Sequence, residues 1–106
     1  MFCPWYPLKD ALDFLPSQSG VFQIKQKAGL IDYPGGKSAM VLYGYGNDLG
    51  KELSHTLGLL HGLKQNHYMC RHALAREGHD SAFYQELLNR FSKRFGTMPL
   101  LHEHLA

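Results

Sequence analysis

Apolar positions along the chain recur with periods that switch between helix and strand. Between Pro7 and Pro16, "LKDALDFL" puts Leu8, Leu12 and Leu15, with Ala11, on one side of a short helix. Trp5, just ahead of it, is expected to pin this arm to the core. In "GVFQIKQK" (20–27) Phe22, Ile24 and Gln26 share one face while Val21, Gln23 and Lys25 share the other, as in a strand with a wet end. "AGLIDYPGGKS" carries the turn signal Pro34-Gly35-Gly36 and reads as a loop. "AMVLY" (39–43) is almost wholly apolar and reads as a central strand covered on both faces. Gly44 and Gly46 then mark a bend or a close backbone approach, and Asn47 or Asp48 offers a helix cap. Leu49, Leu53, Leu57 and Leu60 form one helical stripe, with Gly62 as the stop.

"HYMCRHALA" (67–75) alternates as a third strand, with Tyr68, Cys70, His72 and Leu74 on one face. Asp80 or Ser81 is expected to cap a helix through Phe95, built on Phe83, Leu87 or Leu88, Phe91 and Phe95, and Gly96 ends it as a left-handed cap. "TMPLLHEHLA" reads as an extended tail. The predicted order is helix, strand, strand, helix, strand, helix. That defines a single small α+β domain over residues 1–106, with a helical arm (1–19) and a core (20–102) whose three-stranded, mostly antiparallel sheet is flanked by helices.

Composition adds limits rather than direction. A chain of 106 residues holds one domain, and such a domain buries roughly two-thirds of its unfolded surface. Eleven Lys and Arg against nine Asp and Glu leave a net charge of +2, which permits a polyanionic partner without requiring one. Two cysteines, Cys3 and Cys70, are too few for a disulfide framework, so reduced thiols in the cytoplasm are expected. No apolar run approaches the ~20 residues that span a bilayer, and "MFCPWYPL" lacks the layout of a signal peptide; no membrane partner is expected.

Several residues invite chemistry. His67, Cys70 and His72 have metal-ligand side chains, with His61 nearby, but strand alternation turns His67 away from the other two. His102 and His104 in the tail can bind metal or phosphate, or simply be solvated. Lys9, Lys25, Lys27, Lys37 and Lys51, and Arg90, Lys93 and Arg94 on the last helix, are candidates for phosphate contacts. Tyr43 and Tyr45 flank the bend: if Leu42 faces the core, Tyr43 faces the opposite surface, and Tyr45 is placed to stack on a base.

Taken in order, "LPSQSGVFQI", "LYGYGNDLGKEL", "FYQELLNRF" and "FGTMPLLH" resemble the GIY-YIG nuclease superfamily, over roughly residues 5 to 102. The resemblance implies a hairpin of the Gly20 and Gly44 strands, followed by a helix bearing an Arg, a helix with a metal-binding Glu and a terminal Asn. In that family, a Tyr helps activate the attacking water, the Arg stabilises charge on the phosphate, and the Glu holds a divalent ion. Here the first Tyr falls on Phe22, the second on Leu42 (with Tyr43 at the middle position), the Arg on Glu52 and the Asn on His102. Gly20, Gly44 and Glu86 keep the family identities. A phenyl ring accepts no proton, and a carboxylate opposes charge building on a phosphoryl oxygen. The expectation is a nuclease-fold protein without ordinary catalysis that keeps a binding role toward nucleic acid, through Tyr45, Lys25 and Lys51. Two alternatives stand beside it. One is an active Mg²⁺-dependent DNA endonuclease using Tyr43, Lys51, His55 and Glu86, with Glu86 the metal ligand. The other is a protein-interaction module docking its partner in the former cleft.

Overall fold

Strand β2 (Gly20–Gln26) runs through the middle of a sheet in which every pairing is antiparallel. It pairs with β5 (Met40–Gly46) on one side and with β6 (Tyr68–Leu74) on the other. The two-residue strand β1 (Tyr6–Pro7) adds to the far side of β6, with Tyr6 opposite Cys70. The computed structural model describes residues 1–105; the side chains of His104 and Leu105, and all of Ala106, lie outside the described residues, and the expectation for His104 with them.

The sheet thus has four strands in the order β1-β6-β2-β5, not three. Pro7 shortens the extra strand to an edge fragment, since its missing N–H cannot extend a ladder. A second departure lies at residues 31–38. The stretch read as a loop forms a two-stranded hairpin, β3 (Ile31–Tyr33) and β4 (Gly36–Ser38), turning at the predicted Pro34-Gly35. Strands this short present too little alternation to be seen in the sequence.

Strand β5 is covered on both faces as expected, yet it stands at the edge of the sheet rather than its centre. Its outer edge is closed by other means. The Leu101 N–H donates to the Val41 carbonyl at 3.0 Å. The Tyr33 hydroxyl donates to the Met40 carbonyl at 2.6 Å and accepts from the Leu100 N–H at 3.0 Å. The tail that makes these bonds is a turn and a short 3₁₀ segment (His102–Leu105), not an extended run.

One sheet face buries Phe22, Ile24, Leu42 and Cys70 against Leu49 and Leu53 of α2 (Leu49–Leu59) and against Leu8, Ala11 and Leu15 of the arm. The other face buries Tyr43 against Tyr33 and against Leu88 and Phe91 of α3 (Asp80–Phe95). Each such large side chain, fully buried, stabilises by roughly 1.5–3 kcal/mol. The arm is a 3₁₀ turn (Leu8–Asp10) leading into α1 (Ala11–Phe14), and the break between them rotates Leu12 into solvent instead of onto the expected apolar side.

Helix α2 starts as the sequence suggests: the Asp48 carboxylate accepts from the Lys51 N–H at 3.1 Å. Leu49, Leu53 and Leu60 are buried along its stripe, Leu57 packs at the margin, and Gly62 takes a left-handed conformation beyond the end. The start of α3 differs from expectation. His79 occupies the cap position without a side-chain bond, and Asp80 lies in the first turn, where its charge still meets the positive end of the helix. At the other end Gly96, with φ of 79°, donates its N–H to the Ser92 carbonyl at 2.8 Å, as the sequence predicts.

Candidate functional site

Gly20, Phe22, Gly44 and Glu52 lie at one end of β2, where Gly44–Gly46, expected as a bend, instead continue β5 as paired strand. In the β2–β5 ladder Phe22 lies opposite Gly44, and a Cβ on Gly44 would overlap the Phe22 ring. Phe22 and Leu42 are both fully buried, so the two positions that would carry tyrosines are core. A Cβ on Gly20 would meet the Ala73 carbonyl across the sheet, so this glycine too is required by close strand packing. Two residues further along β5, Glu52 of α2 lies against Gly46.

Glu52 lines a shallow groove with Tyr45, Asn47, Glu77 and Asp80. Three carboxylates and no basic side chain make this groove acidic. Tyr45 stacks on Tyr84 of α3 with ring centroids 4.5 Å apart, and the Tyr84 hydroxyl lies 3.4 Å from His102 Nδ1. The Tyr84 hydroxyl is held above its usual pKa by burial first, and by the neighbouring Tyr45 and Glu52. Glu52, Tyr45 and His102 therefore meet through Tyr84, a residue the sequence reading missed. Its signal was present: Tyr84 stands four positions before Leu88, on the buried stripe of α3.

The rearranged catalytic set does not assemble. Tyr43 is buried under α3 between Tyr33 and Phe91, not presented at a surface. Lys51 and His55 are exposed on α2, which covers the other face of the sheet. Glu86 is exposed on α3 and paired with Arg90 at 2.6 Å, in a surface patch with Gln85 and Asn89. A Mg²⁺ site needs several convergent oxygens. Among the described residues no three His, Cys, Asp or Glu side chains come close enough to hold a metal ion. Glu86 alone does not fit that ion.

A different constellation forms toward the other end of β2, on the face shared with α3. Gln23, almost wholly buried, accepts a 2.7 Å hydrogen bond from Arg71 Nε of β6. The Arg71 guanidinium lies 4.6 Å from the centroid of the Phe2 ring and 4.5 Å from that of Trp5, and Lys25 Nζ sits 4.3 Å from the Trp5 ring. Trp5 thus pins the arm, as expected, but onto two cations rather than into the apolar core. Partial burial lowers the Arg71 pKa. The sequence carried a hint in the alternation of β6, where Arg71 falls between Met69 and Ala73 on the face opposite Cys70; nothing in it placed Phe2 or Trp5 overhead.

The cysteines lie with Tyr6 and His72 on the opposite face. The Tyr6 hydroxyl is 2.8 Å, and Cys3 Sγ 3.5 Å, from His72 Nδ1. Burial pushes the Cys70 thiol up to about 12 and lowers the His72 pKa.

The architecture defines an α+β domain with an antiparallel four-stranded sheet between helices, acidic at one end of β2 and basic at the other. No helix among the described residues is long and apolar enough to cross a membrane. Compared with family models, curated proteins and solved structures, the chain matches none.

Proposed function

We propose that the chain is a GIY-YIG-like domain that binds without cutting, with nucleic acid as its partner. One observation carries the loss of cleavage: the strand end Gly44–Gly46 is flanked by a buried Phe22 and by Glu52 within a groove of three carboxylates. An attacking water finds no proton acceptor in a phenyl ring. Removing one donor that stabilises phosphoryl charge costs about 3 kcal/mol, and an acid in its place adds repulsion. The binding half is supported by Lys25 and Arg71 beside Trp5, since ring faces and cations together suit a nucleic-acid strand.

The test is incubation with plasmid DNA and Mg²⁺ or Mn²⁺, alongside DNA binding measured across a salt series. The expected outcome is intact plasmid for the natural chain and for Glu86→Ala, with affinity that falls steeply as salt rises. Cleavage that depends on Glu86 would overturn the loss of catalysis. Absence of DNA binding at low salt would overturn the nucleic-acid half. A second reading is then favoured by exposed Tyr45 among the carboxylates: the former cleft docks a basic segment of a protein partner.

A further inference from the structure

We propose that Arg71 and Lys25, gathered under Trp5 on the β2–β6 face, form a phosphate-binding site. The inference takes up the binding half of the preceding reading and moves it away from the motif-derived cleft, which is acidic.

A half-buried guanidinium is ordinarily paired with a carboxylate, because desolvating an unpaired charge is costly. Arg71 has no such partner. The ion pairs of the described residues are Lys37 with Asp32 and Arg90 with Glu86, so neither Arg71 nor Lys25 meets a carboxylate within bonding distance. Among the described residues the only hydrogen-bond partner of the guanidinium is the neutral Gln23 at its Nε. Its Nη nitrogens have no hydrogen-bond partner among the described residues, and they are not among the buried atoms lacking one, where Ser19 Oγ stands alone. They therefore reach solvent, held in place and unsatisfied by protein.

The rest of the surroundings fixes the direction of that fork. Gln23 bonds the Nε, the Phe2 and Trp5 ring centroids lie 4.6 and 4.5 Å from the guanidinium carbon, and the Tyr43 side chain faces it from β5, leaving the unbonded Nη nitrogens for a ligand. Phe2 is itself braced by Phe83 of α3, with ring centroids 5.9 Å apart. A planar donor fork of this kind matches two oxygens of a phosphate. Lys25 shares the Trp5 ring with Arg71 and sets a second positive charge beside the first. The ligand is thus a phosphate oxyanion, supplied either by the backbone of a single strand or by a free phosphate.

Trp5 is the sole tryptophan of the chain, so its fluorescence reports on this site directly. The probes are a short oligothymidylate and inorganic phosphate, each titrated at a series of fixed ionic strengths, starting low, into the natural chain, Arg71→Met and Lys25→Met. Methionine keeps a long apolar stem beneath the rings and removes the charge. Circular dichroism verifies that each variant folds; should Arg71→Met not fold, Lys25→Met carries the test.

The expected result is a saturable change in Trp5 emission with oligothymidylate. In Arg71→Met the dissociation constant should rise about tenfold or more. The slope of log affinity against log salt should shrink by about one per cation removed. A saturable response to inorganic phosphate alone, lost in the variants, supports the oxyanion site and assigns it to a free phosphate. No saturable response to either probe, or a response unchanged in the folded variants, overturns the proposal. If anisotropy shows the oligonucleotide still binding the variants with unchanged affinity, this surface is wrong while the binding reading survives. Loss of cleavage stands or falls separately, on the plasmid assay.

Discussion

The two ends of β2 differ in charge, in packing and in what they present. At the Gly20 end the ladder is tight: Phe22 fills the space that Gly44 leaves, and Glu52, Glu77 and Asp80 ring the groove beyond. At the Lys25 end a bulge loosens the pairing with β5, and two cations sit beneath aromatic rings. The comparison teaches that glycines at motif-like spacing can be required by packing alone. Gly20 and Gly44 are needed where strands and a ring crowd together, whether or not any chemistry follows. The unpaired cations and the aromatic rings collect where the resemblance places no motif position.

The sharpest way to break that contrast is at Phe22. If its end of the strand is a packed floor, Phe22→Ala should cost about 3–5 kcal/mol of stability by leaving a cavity, read as a lower urea midpoint. A loss below about 1 kcal/mol would mean the floor is not tightly packed. Next in size comes Phe22→Tyr, which restores the hydroxyl that the resemblance would put there. In a site with no exposure it should cost about 1–3 kcal/mol for an unpaired buried group. Combined with Glu52→Arg, it should still leave plasmid DNA uncut. Cleavage by the double variant would show the old positions to be in working register.

A third effect comes from acid. His72, opposite Phe22 in the β2–β6 ladder, has its pKa lowered by burial below 6.5. The folded form therefore binds its proton less readily than the unfolded chain. The stabilisation from neutral His72 is complete above about pH 6.5 and is lost as pH falls through the lower folded value. The melting temperature should drop across that window, and His72→Gln should flatten the drop. Smallest is Glu86→Ala: an exposed i,i+4 pair with Arg90 contributes about 0.3–0.5 kcal/mol, so the urea midpoint should barely move. A large loss there would mean Glu86 does more than the surface pair allows.

Much of the scaffold was legible from periodicity. The strands at residues 20–26 and 68–74 and the helices at 49–59 and 80–95 were visible because each is long enough to repeat its pattern, whereas β5 was seen only as far as Tyr43, its continuation through Gly44–Gly46 having the glycines of a bend. β1 and the β3–β4 hairpin were not, since two or three residues carry no period. The edge position of β5 was hidden for another reason: Tyr33, Leu100 and Leu101 cover its outer side, so it has the composition of an interior strand. At the site, alternation identified Lys25 as solvent-facing, but the pairing of Arg71 with Gln23 spans 48 positions and depends on strand register. The stacking of Phe2 and Trp5 on Arg71 depends on where the N-terminal arm docks along β6, which the Tyr6–Cys70 pairing and the Cys3 N–H bond to the His72 carbonyl determine across more than sixty positions of sequence.

The seam between Val41 and Leu101 has a consequence for self-association. It closes the outer side of β5, whose unpaired amides and carbonyls would otherwise template pairing with a neighbouring copy. Cutting the chain after Thr97 would unzip that seam and remove the bond to the Tyr33 hydroxyl. The shortened protein should then form concentration-dependent dimers or larger particles on a sizing column, and the intact chain should elute as a single small species.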